Sequence, residues 1–275
     1  MQIIAGPCVI ESERLALGVA AELASIADRL GVEVVYKSSF DKANRTSVRS
    51  YRGPGFDEGL AILDKVRSES GLRTITDVHE TAQIEAVSQA VDMLQIPAFL
   101  CRQTDLLQAA IETGKRVLAK KGQFMAPEEM AHVVQKAQAR LGDGPQVGER
   151  LILCERGSSF GYGDLVVDMR SLEIMRDFGC PVFFDASHSV QKPAAGNNCT
   201  VGDREMTPVL ARAAAAAGID GLFIETHPDP DLALSDAATV WPLDRLEVLL
   251  EQVLEIDQLV RLNAENTSRS FEAFG

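Results

Sequence analysis

MQIIAGPCVIESERLALGVAAELASIADRLGVEVVYK, residues 1–37, holds one structural period of the chain. A short apolar run, Ile3–Ala5, ends in Gly6-Pro7. An amphipathic stretch, Arg14–Leu30, follows, and a second short run, Glu33–Tyr36, comes after it. Runs of strand length separated by a helix-like stretch read as strand, helix, strand. The alternation continues outward to the far end of the chain. Further strand candidates are Thr74–Thr76, Met93–Ile96, Val117–Ala119, Leu151–Cys154, Val182–Phe184 and Gly221–Ile224. Helices are predicted over Phe56–Glu69, Thr81–Gln89, Asp105–Thr113, Pro127–Arg140, Met169–Phe178, Glu205–Ala217 and Leu243–Leu262. Eight units in 275 residues are about 34 residues each, which matches the repeat of a single-domain (β/α)₈ TIM barrel. A doubly wound sheet, usually with fewer strands, comes second. Gly142–Gly148 is too short to divide domains. The barrel is therefore expected over 1–262, with a polar C-terminal tail over 263–275.

Composition agrees with one large core. Apolar residues make up 46% and aromatics only 5%, so Ala, Val, Leu and Ile carry the packing of helices on a parallel sheet. No apolar run reaches membrane-span length, and the start lacks the basic, long-apolar pattern of a signal peptide. The five cysteines, at 8, 101, 154, 180 and 199, are odd in number and show no CxxC spacing, which suits a reduced, cytoplasmic protein. A net charge of −13 argues against nucleic acid as a partner. An anionic substrate must then be held by local cations against the overall field.

Such cations follow the strands. In a barrel of this kind the active site lies at the C-terminal strand ends. Strand one ends in Gly6-Pro7-Cys8, two runs into Lys37 to Arg45, three ends at Asp77, and four is followed by Arg102. Five ends in Lys120-Lys121-Gly122-Gln123, six in Glu155-Arg156, seven in Asp185-Ala186-Ser187-His188 and eight in Glu225-Thr226-His227. Lys37, Lys42, Arg45, Arg102, Lys120 and Arg156 would converge on one mouth, a site for two or more phosphate or carboxylate groups. Cys8, His188, Glu225 and Asp236 sit at the ends of strands one, seven and eight, which are neighbours in a closed barrel. A thiolate, an imidazole and two carboxylates suit a divalent transition ion such as Zn, Fe or Mn. A single cysteine is more often a small buried hydrophobe, and a single histidine a hydrogen-bonded loop residue, so co-location by topology carries this reading. His79 and His227 are rival ligands, and His132 sits in a helix pattern. Gly157–Gly163 lacks the Gly-Lys-Ser/Thr ending of a phosphate loop, and no organic cofactor is expected.

The segments GPCVIES (6–12), KSSFDKANRTS (37–47), YRGPG (51–55), PAFLCRQTDL (97–106), KKGQF (120–124), RGSSFGYGDLVVDM (156–169), FDASHS (184–189) and ETHPDP (225–230) resemble the 3-deoxy-D-manno-octulosonate 8-phosphate synthases, from Ile4 to about Leu262. The KANRTS run separates this family from the related DAHP synthases, which act on erythrose 4-phosphate and carry a shorter Lys-Pro-Arg-Thr type motif; a DAHP synthase is the nearest alternative. The resemblance implies a homotetramer of barrels joining phosphoenolpyruvate to arabinose 5-phosphate in lipopolysaccharide precursor biosynthesis. Cys8 resembles the metal-dependent kind, whose other kind carries Asn there, with His188, Glu225 and Asp236 as matching partners. Lys42, Lys120 and Arg156 match residues holding phosphoenolpyruvate, with Ser39, Gln95 and Gln123 nearby. Asn44, Arg45 and Ser47 match those holding the sugar phosphate, and Arg102 matches one reaching it across the subunit interface. Asp77, His188 or Glu225 would move the proton, with Lys42 beside the reacting groups. A barrel aldolase using Lys42 or Lys120 as a Schiff base and a non-catalytic sugar-phosphate binder stay open. Two departures from the family stand out: loop 190–204 lacks the glycine-rich form, and Thr46 replaces a common Ser.

Overall fold

The computed structural model describes residues 1–45, 47–192 and 201–272. Cys199, Thr46 and most of the atypical loop 190–204 lie outside the described residues. Eight strands form the barrel: β1 (Gln2–Gly6), β2 (Glu33–Lys37), β3 (Arg73–Asp77), β4 (Met93–Ile96), β5 (Arg116–Lys120), β6 (Leu151–Glu155), β7 (Val182–Asp185) and β8 (Gly221–His227). Each pairs in parallel with the next, and β8 pairs with β1 from Gln2↔Gly221 to Gly6↔Glu225, which closes the sheet. The crossover helices are α1 (Glu13–Leu30), α2 (Phe56–Ser70), α3 (Ile84–Ala90), α4 (Thr104–Glu112), α5 (Met130–Leu141), α6 (Arg170–Arg176), α7 (Thr207–Ala216) and α8 (Leu246–Glu272).

Local chemistry sets the ends of these elements. Ser12 caps α1 by accepting from the Leu15 amide at 3.2 Å, and Gly31, at φ 63°, closes it in the left-handed region. Four predicted helices begin later than their periodicity suggests. Thr81–Gln83, Pro127–Glu129, Arg204–Met206 and Leu243–Arg245 are 3₁₀ turns feeding α3, α5, α7 and α8. Such turns keep the apolar spacing but tighten the backbone before the first full turn. The last helix runs past Leu262, where the tail was expected to begin, since residues 263–272 contain no Gly or Pro to stop it. Among the described residues no helix is long and apolar enough to cross a membrane.

Strand parity positions the site. Ile4, Val35, Ile75, Met93, Leu118, Ile152, Cys154, Phe183 and Phe223 pack together inside the barrel. Their neighbours, including Ile3, Ala5, Val34, Tyr36, Leu94, Val117, Leu153 and Leu222, pack outward against the helices. Side chains alternate with a period of two along a strand. The residue two beyond an inward apolar one therefore faces inward again, and here it is polar. Val35 leads to Lys37, Ile75 to Asp77, Met93 to Gln95, Leu118 to Lys120, Cys154 to Arg156, Phe183 to Asp185 and Phe223 to Glu225. One layer of dry packing is thus roofed by a layer of charge.

Candidate active site and metal centre

At the β1 end, Gly6 has φ +152°, and a Cβ there would collide with the Lys37 carbonyl oxygen. Glycine lets β1 pass close to β2 and brings Cys8 over the mouth. Lys37 spends its three N–H donors inside the protein, on Glu225 Oε1 at 2.6 Å, the Cys8 carbonyl at 3.1 Å and Ser39 Oγ at 3.1 Å. Cys8 Sγ lies 2.9 Å from Ser235 Oγ and 3.3 Å from Asp236 Oδ2. Asp236 has φ 52°, the one non-glycine residue at positive φ among the described residues, and this turn aims its carboxylate at Cys8.

Asp185 organises the β7 end. It accepts from the His188 amide at 2.9 Å and the Ser187 amide at 3.1 Å, pairs with Lys120, and holds His188 Nδ1 at 2.7 Å. That bond turns His188 Nε2 toward Glu225 Oε2 and Asp236 Oδ2, each 3.6 Å away. Ligand atoms of Cys8, Glu225 and Asp236 all lie within 4.8 Å of one another. Glu225 Oε2 is buried without a hydrogen-bond partner. A carboxylate-backed histidine, a thiol, a second carboxylate and an orphaned carboxylate oxygen are the donors a divalent transition ion takes, so these residues fit one.

Beside this cluster lies a cationic wall. Lys120 Nζ sits 3.1 Å from the Phe223 ring centroid, a cation–π floor contact. Arg156 Nη2 bonds Gln191 Oε1 at 2.6 Å, and Gln191 Nε2 bonds Asp236 Oδ2 at 3.3 Å. Arg156 Nη1, Gln95 Oε1, Gln123 Oε1 and Asp77 Oδ1 are buried and unpaired. Buried polar atoms rarely lack partners, and a cluster of them facing one mouth is the mark of a ligand site. Asp77 Oδ2 takes its bond from His79 Nε2 at 2.9 Å. Burial pushes Asp77 up, but His79, Lys37 and Lys42 outweigh it and hold the carboxyl well below its ordinary range. Burial lowers the Lys42 ammonium, but its acidic surroundings, the carboxylates of Glu225, Asp77 and Asp236 among them, outweigh that and raise it above its ordinary value.

Residues 1–262 match the family model described as the DAHP synthetase I family. Chains described as 2-dehydro-3-deoxyphosphooctonate aldolase from Acidithiobacillus ferrooxidans, Legionella pneumophila and Bordetella petrii are 57%, 56% and 55% identical. The alignments cover 94%, 94% and 95% of this chain and 90%, 92% and 92% of those relatives. The chain belongs to this aldolase family. The family is the one its motifs resemble.

Within this aldolase mouth, Cys8, Glu225 and Asp236, three of the four residues expected as metal ligands, lie together, and His188 Nε2 lies 3.6 Å from the two carboxylates. Lys120, Arg156, Gln95 and Asp77 lie on the inward face at the neighbouring strand ends, and Gln123, with an unpaired Oε1, follows β5. Ser39 joins Lys37. Arg45 leans over the rim, bonding the Tyr51 carbonyl at 3.2 Å and the Leu234 carbonyl at 3.4 Å, with exposed Asn44 and half-buried Ser47 beside it. Arg102 does not converge on this chain's mouth. The 3₁₀ turn Ala98–Leu100 carries it out to an exposed cleft, where it lies with Gln108, Glu129, His132 and Lys136. The rival histidines are committed elsewhere: His79 to Asp77, and His227 to the Asp229 amide at 3.0 Å and to Glu11 at 3.5 Å. His132 lies outside on α5, 3.3 Å from Gln135. Sequence reasoning placed Asp185 at the end of strand seven without giving it a role, and missed Ser235, Gln191 and Phe223. Parity would have found Phe223, which lies on the inward face of its strand.

The charge pairs of the site give the chain an acid sensitivity. Burial raises Glu225, but Lys37, His188 and Lys42 outweigh it and bring it from its ordinary 4.5 to about 2. Burial likewise raises Asp185, and His188 and Lys120 outweigh it and hold it low. A folded value below the unfolded one means stabilisation that is complete above the unfolded value and lost as pH falls through the folded one. Urea titrations of the metal-free chain should therefore show unfolding free energy dropping between pH about 4.5 and about 2. Glu225→Gln should flatten part of that slope, and an unchanged slope would show that Glu225 is not the titrating group.

Proposed function

We propose that the chain condenses phosphoenolpyruvate with D-arabinose 5-phosphate and water to give 3-deoxy-D-manno-octulosonate 8-phosphate and phosphate, in a metal-dependent reaction. The observation that carries this reading is the juxtaposition of a Cys8–Glu225–Asp236 donor cluster, with His188 3.6 Å from both carboxylates, and an inward wall of Lys120, Arg156 and unpaired amide oxygens, in a chain whose relatives bear the aldolase name. Lys120, Arg156 and Lys42 hold the phosphate and carboxylate of phosphoenolpyruvate, with Ser39, Gln95 and Gln123 beside them. Asn44, Arg45 and Ser47 at the rim hold the sugar phosphate. Lys37 supports Glu225 from behind, since its donors are spent.

The enol carbon is a weak nucleophile, so alignment with the aldehyde supplies much of the rate. The fixed cations balance charge as the methylene carbon attacks, water adds at the neighbouring carbon, and phosphate leaves by C–O cleavage. A bound Zn, Fe or Mn ion would supply Lewis-acid polarisation of the aldehyde or of a water. In this reading Asp77, His188 or Glu225 moves the proton: Asp77 offers an unpaired Oδ1 but is a weak base, because its neighbours hold its carboxyl low, and His188 Nε2 and Glu225 Oε2 face each other at 3.6 Å. A Schiff-base aldolase mechanism is disfavoured, because Lys42 stays protonated and Lys120 is paired with Asp185.

Phosphate release assayed with a panel of sugar phosphates tests the reading. Arabinose 5-phosphate should be preferred over erythrose 4-phosphate by at least about tenfold in kcat/KM, about 1.4 kcal/mol of transition-state binding. Equal or reversed preference would favour a DAHP synthase, a link that the shared family model supports only at family level.

The assembly is a cytoplasmic homotetramer in this reading, with Arg102 serving a neighbour's sugar phosphate. Its exposure beyond β4, away from its own mouth, supports that role. Arg102→Ala should weaken sugar-phosphate binding and leave phosphoenolpyruvate binding nearly intact. Mixed tetramers of Arg102→Ala and Lys120→Ala should regain activity, because intact sites form from two half-damaged chains. No regain would mean that each site is built from one chain.

A further inference from the structure

Two adjacent lysines end β5, and parity sends them to opposite faces. Lys120 enters the mouth. Lys121 turns outward and is fully buried behind it. Its ammonium lies 3.2 Å from the Met125 carbonyl, 3.4 Å from the carbonyls of Gly122 and Gly157, and 3.0 Å from Ser158 Oγ. Glu155, the outward residue at the end of β6, comes within 3.5 Å of it. Glu155 Oε1 also accepts from the Arg156 amide at 3.1 Å and the Gly157 amide at 2.6 Å, and its Oε2 accepts from Ser171 Oγ at 2.9 Å, at the start of α6. A further tie, from the Ser159 amide to the Gln123 carbonyl at 2.7 Å, joins the same two loops.

This buried pair fastens the exits of β5 and β6 to each other and to α6. Those exits carry Lys120, Gln123 and Arg156, the groups assigned to phosphoenolpyruvate. A core that needed only packing would place apolar side chains here, because burying an ion pair gains little stability over hydrophobic residues of similar size. What the pair supplies is direction: one ammonium spans three backbone carbonyls of two loops, and one carboxylate fixes the amide of the residue whose guanidinium faces the substrate. We infer that Lys121 and Glu155 are positioning residues that aim Lys120, Gln123 and Arg156 at phosphoenolpyruvate, without touching it themselves. This inference rests on the proposed function, which places that substrate against β5 and β6.

The test separates aim from stability. Calorimetric titration of the metal-loaded chain with phosphoenolpyruvate alone should show Lys121→Met binding at least about tenfold more weakly, since displacements on the order of an ångström are this costly. The sugar-phosphate KM should stay within about twofold of wild type, because the β2 loop lies outside the knot. Lys121→Met leaves Glu155 buried without its partner; if that variant does not fold, Lys121→Met/Glu155→Gln removes both charges and keeps an acceptor for the Arg156 and Gly157 amides. The double variant should fold and show the same selective loss. Lys65→Met, an exposed lysine paired with Glu13 on the outer surface, should bind as wild type. A folded Lys121 variant that binds phosphoenolpyruvate as wild type does, or that loses both substrates equally, overturns the inference. Wild-type chain that fails to bind phosphoenolpyruvate overturns the proposed function as well.

Discussion

Cys8→Ala is expected to strip the site of its ion and to lower kcat/KM at least about 10³-fold, on the order of 4 kcal/mol of transition-state stabilisation. Burial raises the Cys8 thiol well above its ordinary value, and the carboxylates of Asp236 and Glu225 raise it further. Without an ion the sulfur therefore stays protonated, donating to Asp236 at 3.3 Å. A thiol held so far from ionisation is of little use as a free nucleophile. A divalent transition ion would reverse this, since Cys8 could ligate it only as the thiolate, beside Glu225 and Asp236. Alanine removes the softest donor and leaves oxygens and one imidazole, a set that discriminates poorly among divalent ions. Elemental analysis and steady-state kinetics on the same preparation check this. Mg²⁺ should restore little activity to stripped wild type, since it prefers octahedral oxygen sites. Cys8→Asn is the companion variant: its amide can hold a water in the ion's place, and weak, chelator-resistant turnover should survive. A Cys8→Ala enzyme with full metal and full activity would return Cys8 to the status of a buried structural thiol.

Lys120→Met should be nearly as damaging, by a different route. The ammonium does two jobs: it pairs with Asp185 and it presents charge to the mouth above Phe223. Methionine keeps the volume and loses the charge. Asp185 then keeps only His188 and the Ser187 amide, and removing one partner of such a pair costs about 3–5 kcal/mol of stability. Loss of one preorganised cation from the transition state costs a further 10²–10³-fold in kcat, roughly 2.7–4 kcal/mol. The two effects separate experimentally, because denaturant titration reads the first and kcat on folded enzyme reads the second. A Lys120→Met enzyme with lowered stability and unchanged kcat would make Lys120 a support for Asp185 only.

The barrel was legible because parallel strands buried on both faces leave compact apolar runs, and these stand out wherever helices of regular length divide them. The proximity of Cys8, His188, Glu225 and Asp236 was legible because closure makes the ends of strands one, seven and eight neighbours. The pairings between strand ends were not. Lys37 meets Glu225 across 188 positions and Lys120 meets Asp185 across 65, and no local spacing records which cation faces which acid. This is why Lys37 reads as a substrate group in sequence and sits against Glu225 in the structure. The hairpin Ser158–Phe160 with Asp164–Val166 escaped notice because its strands are three residues each and turn on Gly161, a stretch that reads as a loop. The placement of Arg102 was obscured by the 3₁₀ turn after β4, which no apolar period announces.

The most direct test is to follow phosphate release from phosphoenolpyruvate by the wild-type chain, metal-loaded and exhaustively chelated, with and without arabinose 5-phosphate, with metal content measured in each sample. The account predicts release only when sugar and ion are both present, with one eight-carbon phosphorylated product by mass and activity returning on addition of a divalent transition ion. Equal release without sugar, or full activity in a sample whose metal content is near zero, would contradict it.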